Sequence, residues 1–366
     1  MTLTLPSLQR SHHLPAMRIV TIVGARPQFI KAAPVSAELR RVHEEVLVHT
    51  GQHFDPGMSD VFFDELGIPA PDHHRGISGG SHGAMVGRML ERIEQVLIDT
   101  TPDLVLVYGD TNSTLAGALA AAKLRVRLAH VEAGLRSFDR GMPEEINRVL
   151  TDHASHLLFC PGLNAVENLA AEGITKGVHD VGDVMLDALR AAVALGSRRS
   201  AVLERNGLRE KGYVLATIHR QENTDDRVRL AAILDGLAAV DESVALPLHP
   251  RTQAAIARHG LRVSERIQVL DPLGHVDMVS LEAAARVIVT DSGGVQKEAY
   301  WLGVPCVTLR DATEWVETVT HGWNRLVGPD AMAIAHAVAT AQRPARHPAL
   351  YGEPGASARI AALVDS

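Results

Sequence analysis

The 366-residue chain has only two cysteines, Cys160 and Cys306, each beside an apolar run. So few thiols exclude a disulfide scaffold and point to a reducing, cytoplasmic compartment in which both are buried and inert. No stretch reaches the roughly 18 to 20 consecutive apolar residues of a membrane span, so no membrane partner is expected. Residues 1–16 carry two prolines and two histidines but no apolar signal core. That predicts a disordered extension rather than an export signal, with Met17 as an alternative start. Positive charge is the scarcer sign: 36 Lys and Arg against 43 Asp and Glu leave a net −7, unsuited to a broad nucleic-acid surface. The pairs His12-His13 and His73-His74 lack ligand spacing, so no metal site is expected. A Gly-x-Gly-x-x-Gly dinucleotide fingerprint is missing after the first strand, which disfavours a dehydrogenase. No internal repeat or low-complexity segment stands out.

What the chain does have is alternation. Apolar strand runs at 18–24, 46–50, 104–108, 126–131, 157–160 and 178–181 are separated by helical patterns, among them 27–41, 58–66, 82–99 and 113–123. Met85 and Met89 in the third of these helices read as core residues. After a polar stretch at 196–212 the pattern restarts, with runs at 213–217, 244–247, 267–270, 287–290 and 306–309. Such alternation implies parallel sheets covered by helices on both faces. Two passes of it predict two Rossmann-like α/β domains, 17–186 and 187–350, facing a central cleft, with a helix-like tail over 351–366 packing back on the first.

Three acidic signatures follow one another in the first half: Gly109-Asp110-Thr111, His130-Val131-Glu132-Ala133-Gly134-Leu135-Arg136 and Pro143-Glu144-Glu145-Ile146-Asn147-Arg148. The first two carboxylates each follow a strand run, where ligands of open parallel sheets gather. Several acids converging there suit proton transfer, since different surroundings give them different pKa values. Taken singly, Asp110 reads equally well as a helix cap, and Glu144 and Glu145 as acids favoured at a helix start. Glu132, at a strand end, has no capping role.

Two segments suit an anion. Gly24-Ala25-Arg26-Pro27 turns from strand into helix, where free amides together with Arg26 and Lys31 could hold a phosphate, or could simply form a turn with two surface cations. Asp291-Ser292-Gly293-Gly294 repeats the arrangement in the second half; its small residues admit a diphosphate, and Glu298, one turn on, could accept from ribose hydroxyls. His219 and His249 each follow a strand and could balance phosphate charge or move a proton.

Together these motifs resemble the non-hydrolysing UDP-N-acetylglucosamine 2-epimerase family, over nearly the whole chain from Arg18 to about Ile360. The resemblance implies the two-domain glycosyltransferase-B architecture, no cofactor, and a homodimer. It implies catalytic roles for Asp110, Glu132, Glu144 and His219. Arg26, Lys31, Ser292, Gly293, Gly294 and Glu298 would hold UDP, Arg136 and His249 would line the cleft, and Met278 belongs to a uracil-side segment at 271–278. The expected reaction converts UDP-N-acetylglucosamine to UDP-N-acetylmannosamine through a 2-acetamidoglucal.

Three departures stand out. Trp315 replaces an arginine of relatives that carry Thr-Glu-Arg-Pro-Glu. Leu273 and Met278 replace a glutamine and an aromatic. Asp55 stands where substrate-activated relatives carry a second glutamine, three positions after the one matching Gln52. The Trp315 pattern also resembles relatives acting on UDP-2,3-diacetamido-glucuronate. A glycosyltransferase, a hydrolysing epimerase and a sugar-nucleotide sensor are the other readings, and the three acidic signatures exceed what a transferase or sensor needs.

Overall fold

The computed structural model describes residues 16–52, 67–74, 76–77 and 79–365. The expected helix at 58–66, residues 1–15 of the expected extension at 1–16, and Asp55 lie outside the described residues. Two compact units are present. One holds the described residues up to 52, Ala70–Gly182 and the tail from Gly355; the other holds Asp183–Pro354 with residues 67–69.

The first unit is built on a seven-stranded sheet, ordered β3-β2-β1-β4-β5-β6-β7. Its strands are β1 (Arg18–Val23), β2 (Glu44–His49), β3 (His73–His74), β4 (Leu104–Tyr108), β5 (Arg127–Val131), β6 (Leu157–Cys160) and β7 (Val178–Asp180). Every pairing is parallel. All five residues of β4 are buried, as a strand covered on both faces requires. Small residues let the helix Asn112–Leu124 pack closely beneath: a side chain at Gly117 would press on Ile22 and Val107. Met89 is fully buried in the same core, with Met85 packed against it. The helix Ala356–Leu363 packs on the helix Arg26–Leu39, where Ile360 is buried. Arg359 donates to the Val181 carbonyl and Arg127 to that of Val364.

The second unit carries a six-stranded parallel sheet, ordered β10-β9-β8-β11-β12-β13. These strands are β8 (Tyr213–Thr217), β9 (Ser243–Pro247), β10 (Ile267–Leu270), β11 (Val287–Thr290), β12 (Cys306–Thr308) and β13 (Asn324–Leu326). The short strands β3 and β13 are not anticipated by the sequence reading. Each lies at a sheet edge and lacks the apolar run of a doubly covered strand. In each sheet the order reverses once, between β1 and β4 and between β8 and β11. Ligands of open α/β sheets bind beyond the carboxyl ends at such reversals. Both thiols are buried, and burial pushes Cys160 and Cys306 up to about 12, which leaves them protonated and unreactive.

Candidate active site

At the reversal of the first sheet, the chain leaving β1 turns through Gly24 into the helix Arg26–Leu39. A Cβ at Gly24 would overlap the hydroxyls of Ser113 and Thr50, so only glycine fits here. The amides expected to be open to an anion are closed instead. Buried Gln28 accepts from Gly24 N at 2.8 Å and Ala25 N at 3.1 Å, and donates to the Tyr108 carbonyl at 2.8 Å and to Thr114 Oγ1 at 3.0 Å. Gln28 thus fastens the end of β1 to the end of β4, and Pro27 has no N–H. Half-buried Arg26 opens the helix, while Lys31, a turn later, reaches the Glu132 carboxylate.

Asp110 follows β4 through Gly109, whose φ of 61° favours glycine. It is not the cap of the following helix. Thr111 is, accepting from Thr114 N. The Asp110 carboxylate pairs with Arg148 at 2.5 Å, and its carbonyl accepts from Asn147 Nδ2 at 2.8 Å. Glu132 leaves β5 with φ of 72°, a left-handed backbone that few non-glycine residues adopt. A Cβ at Gly109 would lie 3.2 Å from Glu132 Oε2 and 3.7 Å from Lys31 Nζ. The Asp110 turn and the Glu132–Lys31 pair are therefore immediate neighbours.

The helix Pro143–Ala154 supplies the third acid pair, which the fold separates. Glu144 is exposed on the first turn, whereas Glu145 is buried and accepts from Ser137 N, Ser137 Oγ, Phe138 N and Arg148. Burial alone would raise the Glu145 carboxyl, but these donors hold it below its ordinary value. Arg148 bridges Glu145 and Asp110, and it is held above its ordinary value because those charges outweigh burial.

Arg136 is engaged by neighbouring carboxylates. Its side chain is 1% exposed, it grips Glu172 through Nε at 2.6 Å and NH2 at 2.8 Å, and NH1 reaches Asp152 at 2.7 Å. The guanidinium is thus committed to two carboxylates and fixes the loop after β5. Asp152 also accepts from Gly134 N at 3.1 Å and pairs with buried His130, Nδ1 to Oδ1 at 2.7 Å. The other His130 nitrogen, Nε2, meets the Gly109 carbonyl at 2.7 Å. A carbonyl oxygen only accepts, so Nε2 is the donor of this contact. Burial alone would raise Asp152, yet His130 and Arg136 hold it below its ordinary value.

The second unit gathers a separate set at its own reversal. Buried Asp291, after β11, accepts from the amides of His219 and Arg220 and from Asn223 Nδ2, all within 3.0–3.1 Å. That carboxylate fixes the turn after β8, and His219 Nδ1 lies 3.5 Å from it. The His219 and His249 rings lie 5.5 Å apart. His249 caps its own helix, its Nδ1 accepting from Arg251 N at 3.1 Å. Ser292 caps the helix Gly293–Trp301, accepting from Val295 N at 3.4 Å, and half-buried Glu298 lies on that helix. Burial, and then the charge of Glu298, hold the buried Glu282 carboxyl well above the usual carboxylate range. Met278 is half-buried and packs against the core under β10 and β11.

Trp315 donates through Nε1 to the Gly293 carbonyl at 2.8 Å. Its ring covers the Lys297 ammonium at 4.5 Å, with Tyr351 at 4.8 Å and Trp301 at 5.0 Å, while Asp183 pairs with the same ammonium at 2.5 Å. Among the described residues no group of His, Cys, Asp and Glu is arranged to hold a metal ion, and no helix is long and apolar enough to cross a membrane.

A family model described as UDP-N-acetylglucosamine 2-epimerase matches residues 37–365. The chain belongs to the UDP-N-acetylglucosamine 2-epimerase family. This is a family of isomerases, and its members of known structure share the fold seen here. The chain is 54% identical over 323 residues, 87% of its length, to 90% of a Methanococcus maripaludis protein named UDP-N-acetylglucosamine 2-epimerase homolog. It is 51% identical over 356 residues, 94% of its length, to 98% of a Pseudomonas aeruginosa protein named UDP-2,3-diacetamido-2,3-dideoxy-D-glucuronate 2-epimerase. The crystal structure of the Methanocaldococcus jannaschii UDP-GlcNAc 2-epimerase with UDP-GlcNAc and UDP superposes with a TM-score of 0.82 at 40% identity, covering 95% of this epimerase-family chain and 99% of the other.

Proposed function

We propose that the chain inverts C2 of a UDP-linked 2-acetamido sugar by eliminating UDP and adding it back. The C2 hydrogen is too weakly acidic for direct removal near neutral pH. Loosening the C1–O bond places positive character on the ring and acidifies that hydrogen. A carboxylate takes the C2 proton, the C–H electron pair becomes the C1=C2 double bond, and the C1–O pair leaves with UDP. The intermediate is a 2-acetamidoglucal or its substituted counterpart. Protonation of C2 from the opposite face, with return of UDP to C1, completes the inversion. Hydrogen leaves and returns as a proton, so no redox cofactor enters.

The observation that carries this reading is the placing of two carboxylates at neighbouring strand ends with different cations: Asp110 with Arg148, Glu132 with Lys31. Two faces of one carbon need two proton-transfer groups, and Glu144 offers a third acid. Such help contributes roughly a hundred- to ten-thousand-fold. Arg26 in the first unit and His219 in the second are each suited to stabilise growing diphosphate charge. His249, Ser292, Gly293, Gly294, Glu298 and the Met278 segment hold the nucleotide.

For the sugar we choose UDP-2,3-diacetamido-2,3-dideoxy-glucuronate, the substrate named for the 51% relative, although the 54% relative is named a UDP-N-acetylglucosamine 2-epimerase homolog. Trp315, where relatives of the second kind carry arginine, supports the same choice. Family likeness favours a cytoplasmic homodimer. The test is turnover of each nucleotide in heavy water. Deuterium at C2 of the product is expected, with the uronate the faster substrate. Product that keeps its original C2 hydrogen, or free sugar released with UDP, would overturn the mechanism.

A further inference from the structure

We propose that Asp152 is a positioning residue for the epimerisation, holding through His130 and Gly134 both turns that carry the proton-transfer carboxylates. The proposal rests on the C2 epimerisation described above. Asp152 lies in the last turn of the helix Pro143–Ala154 and is buried to 1% exposure. One oxygen meets His130 Nδ1 at 2.7 Å, and Nε2 on the far side of that ring donates to the Gly109 carbonyl at 2.7 Å, next in sequence to Asp110. Its other oxygen takes Gly134 N at 3.1 Å, two residues beyond Glu132.

Both turns need such a hold. Gly109, Glu132 and Gly134 all have positive φ, at 61°, 72° and 80°, so neither turn has the backbone of a regular element. A side chain at Gly134 would overlap the Ala165 carbonyl, so this turn is also pinned from the opposite side. The same helix presents Asn147 to the Asp110 carbonyl and Arg148 to its carboxylate, and it starts with Glu144. One helix therefore reaches the Asp110 turn through Asn147 and Arg148 and the Glu132 turn through Asp152, and it carries Glu144. Arg136, braced by Glu172, closes the last side of Asp152 and keeps it in place.

A displacement of about 1 Å at reacting groups costs on the order of a hundredfold in rate. Asp152→Asn and His130→Gln are each expected to lower kcat at least about tenfold, with UDP affinity, measured by calorimetry, changed less than about twofold. Because they act through one chain of contacts, the double variant should be no worse than the poorer single variant. A purely structural role predicts instead that activity per folded molecule stays at the wild-type level while Tm falls, or that the two losses multiply; either result would overturn the proposal. If Asp152→Asn does not fold, His130→Gln, which leaves Arg136 and Gly134 on Asp152, decides alone by the same kcat criterion. Wild-type protein without C2 exchange on either sugar nucleotide would remove the reaction itself, an outcome separate from a loss confined to the variants.

Discussion

The Lys31 ammonium lies against the Glu132 carboxylate, joining the first helix to the turn after β5 across 101 positions of sequence. A lysine in that place serves the acid before it serves a nucleotide. Lys31→Met should lower kcat by at least about tenfold, since it leaves a largely buried carboxylate without its cation, while UDP affinity stays within about threefold. Steady-state kinetics with calorimetry checks this; a large loss of UDP affinity at unchanged kcat would make Lys31 a nucleotide ligand instead.

Asp110→Asn and Glu132→Gln remove the proposed proton carriers while keeping shape. Each should reduce turnover by roughly a hundred- to ten-thousand-fold and leave UDP binding almost unchanged. Equal loss of both properties would assign the carboxylates to the fold.

Gly24→Ala should destabilise the first unit by about 1–3 kcal/mol, because the new methyl would overlap the Ser113 and Thr50 hydroxyls. Thermal unfolding reads this directly. An unchanged Tm would mean that the two hydroxyls move apart freely.

His49 stacks between Phe29 at 4.9 Å and His74 at 4.6 Å, and burial, helped by His74, lowers it from 6.5 to about 4. Between those values the unfolded chain takes up a proton that the folded one refuses. Stability from this group is therefore full above pH 6.5 and falls as pH drops toward 4. His49→Phe should flatten that part of a Tm-against-pH curve; an unaltered curve would place the acid sensitivity elsewhere.

Trp315→Arg removes the ring over Lys297 and the hydrogen bond to Gly293. The ratio of kcat/KM between the diacetamido-glucuronate and N-acetylglucosamine nucleotides should move at least about fivefold toward the latter, roughly 1 kcal/mol of discrimination. An unmoved ratio would clear Trp315 of any part in sugar choice.

The sheets were readable because strands buried on both faces are continuous apolar runs, as in Leu104–Tyr108, and because glycine and proline punctuate their ends. Asp110, Glu132, Asp291 and His219 were readable because they stand directly after such runs. Gln28 was not, since its partner on β4 lies 80 positions away and nothing local distinguishes it from a surface amide. Asp152 is a lone acid in a helix's last turn, usually a solvated place, and only the folded neighbours reveal its burial. The pairing of Arg136 was hidden for the same reason: its partner Glu172 lies 36 positions on.

The tail from Gly355 belongs to the unit that the chain begins, and Ile360 is buried against the helix that carries Arg26 and Lys31. On the ribosome, Asp183–Pro354 is therefore synthesised before the opening unit can be closed. A chain cut before Gly355 would keep the later unit whole and leave the earlier one without the wall that Ile360 supplies behind the helix of Lys31.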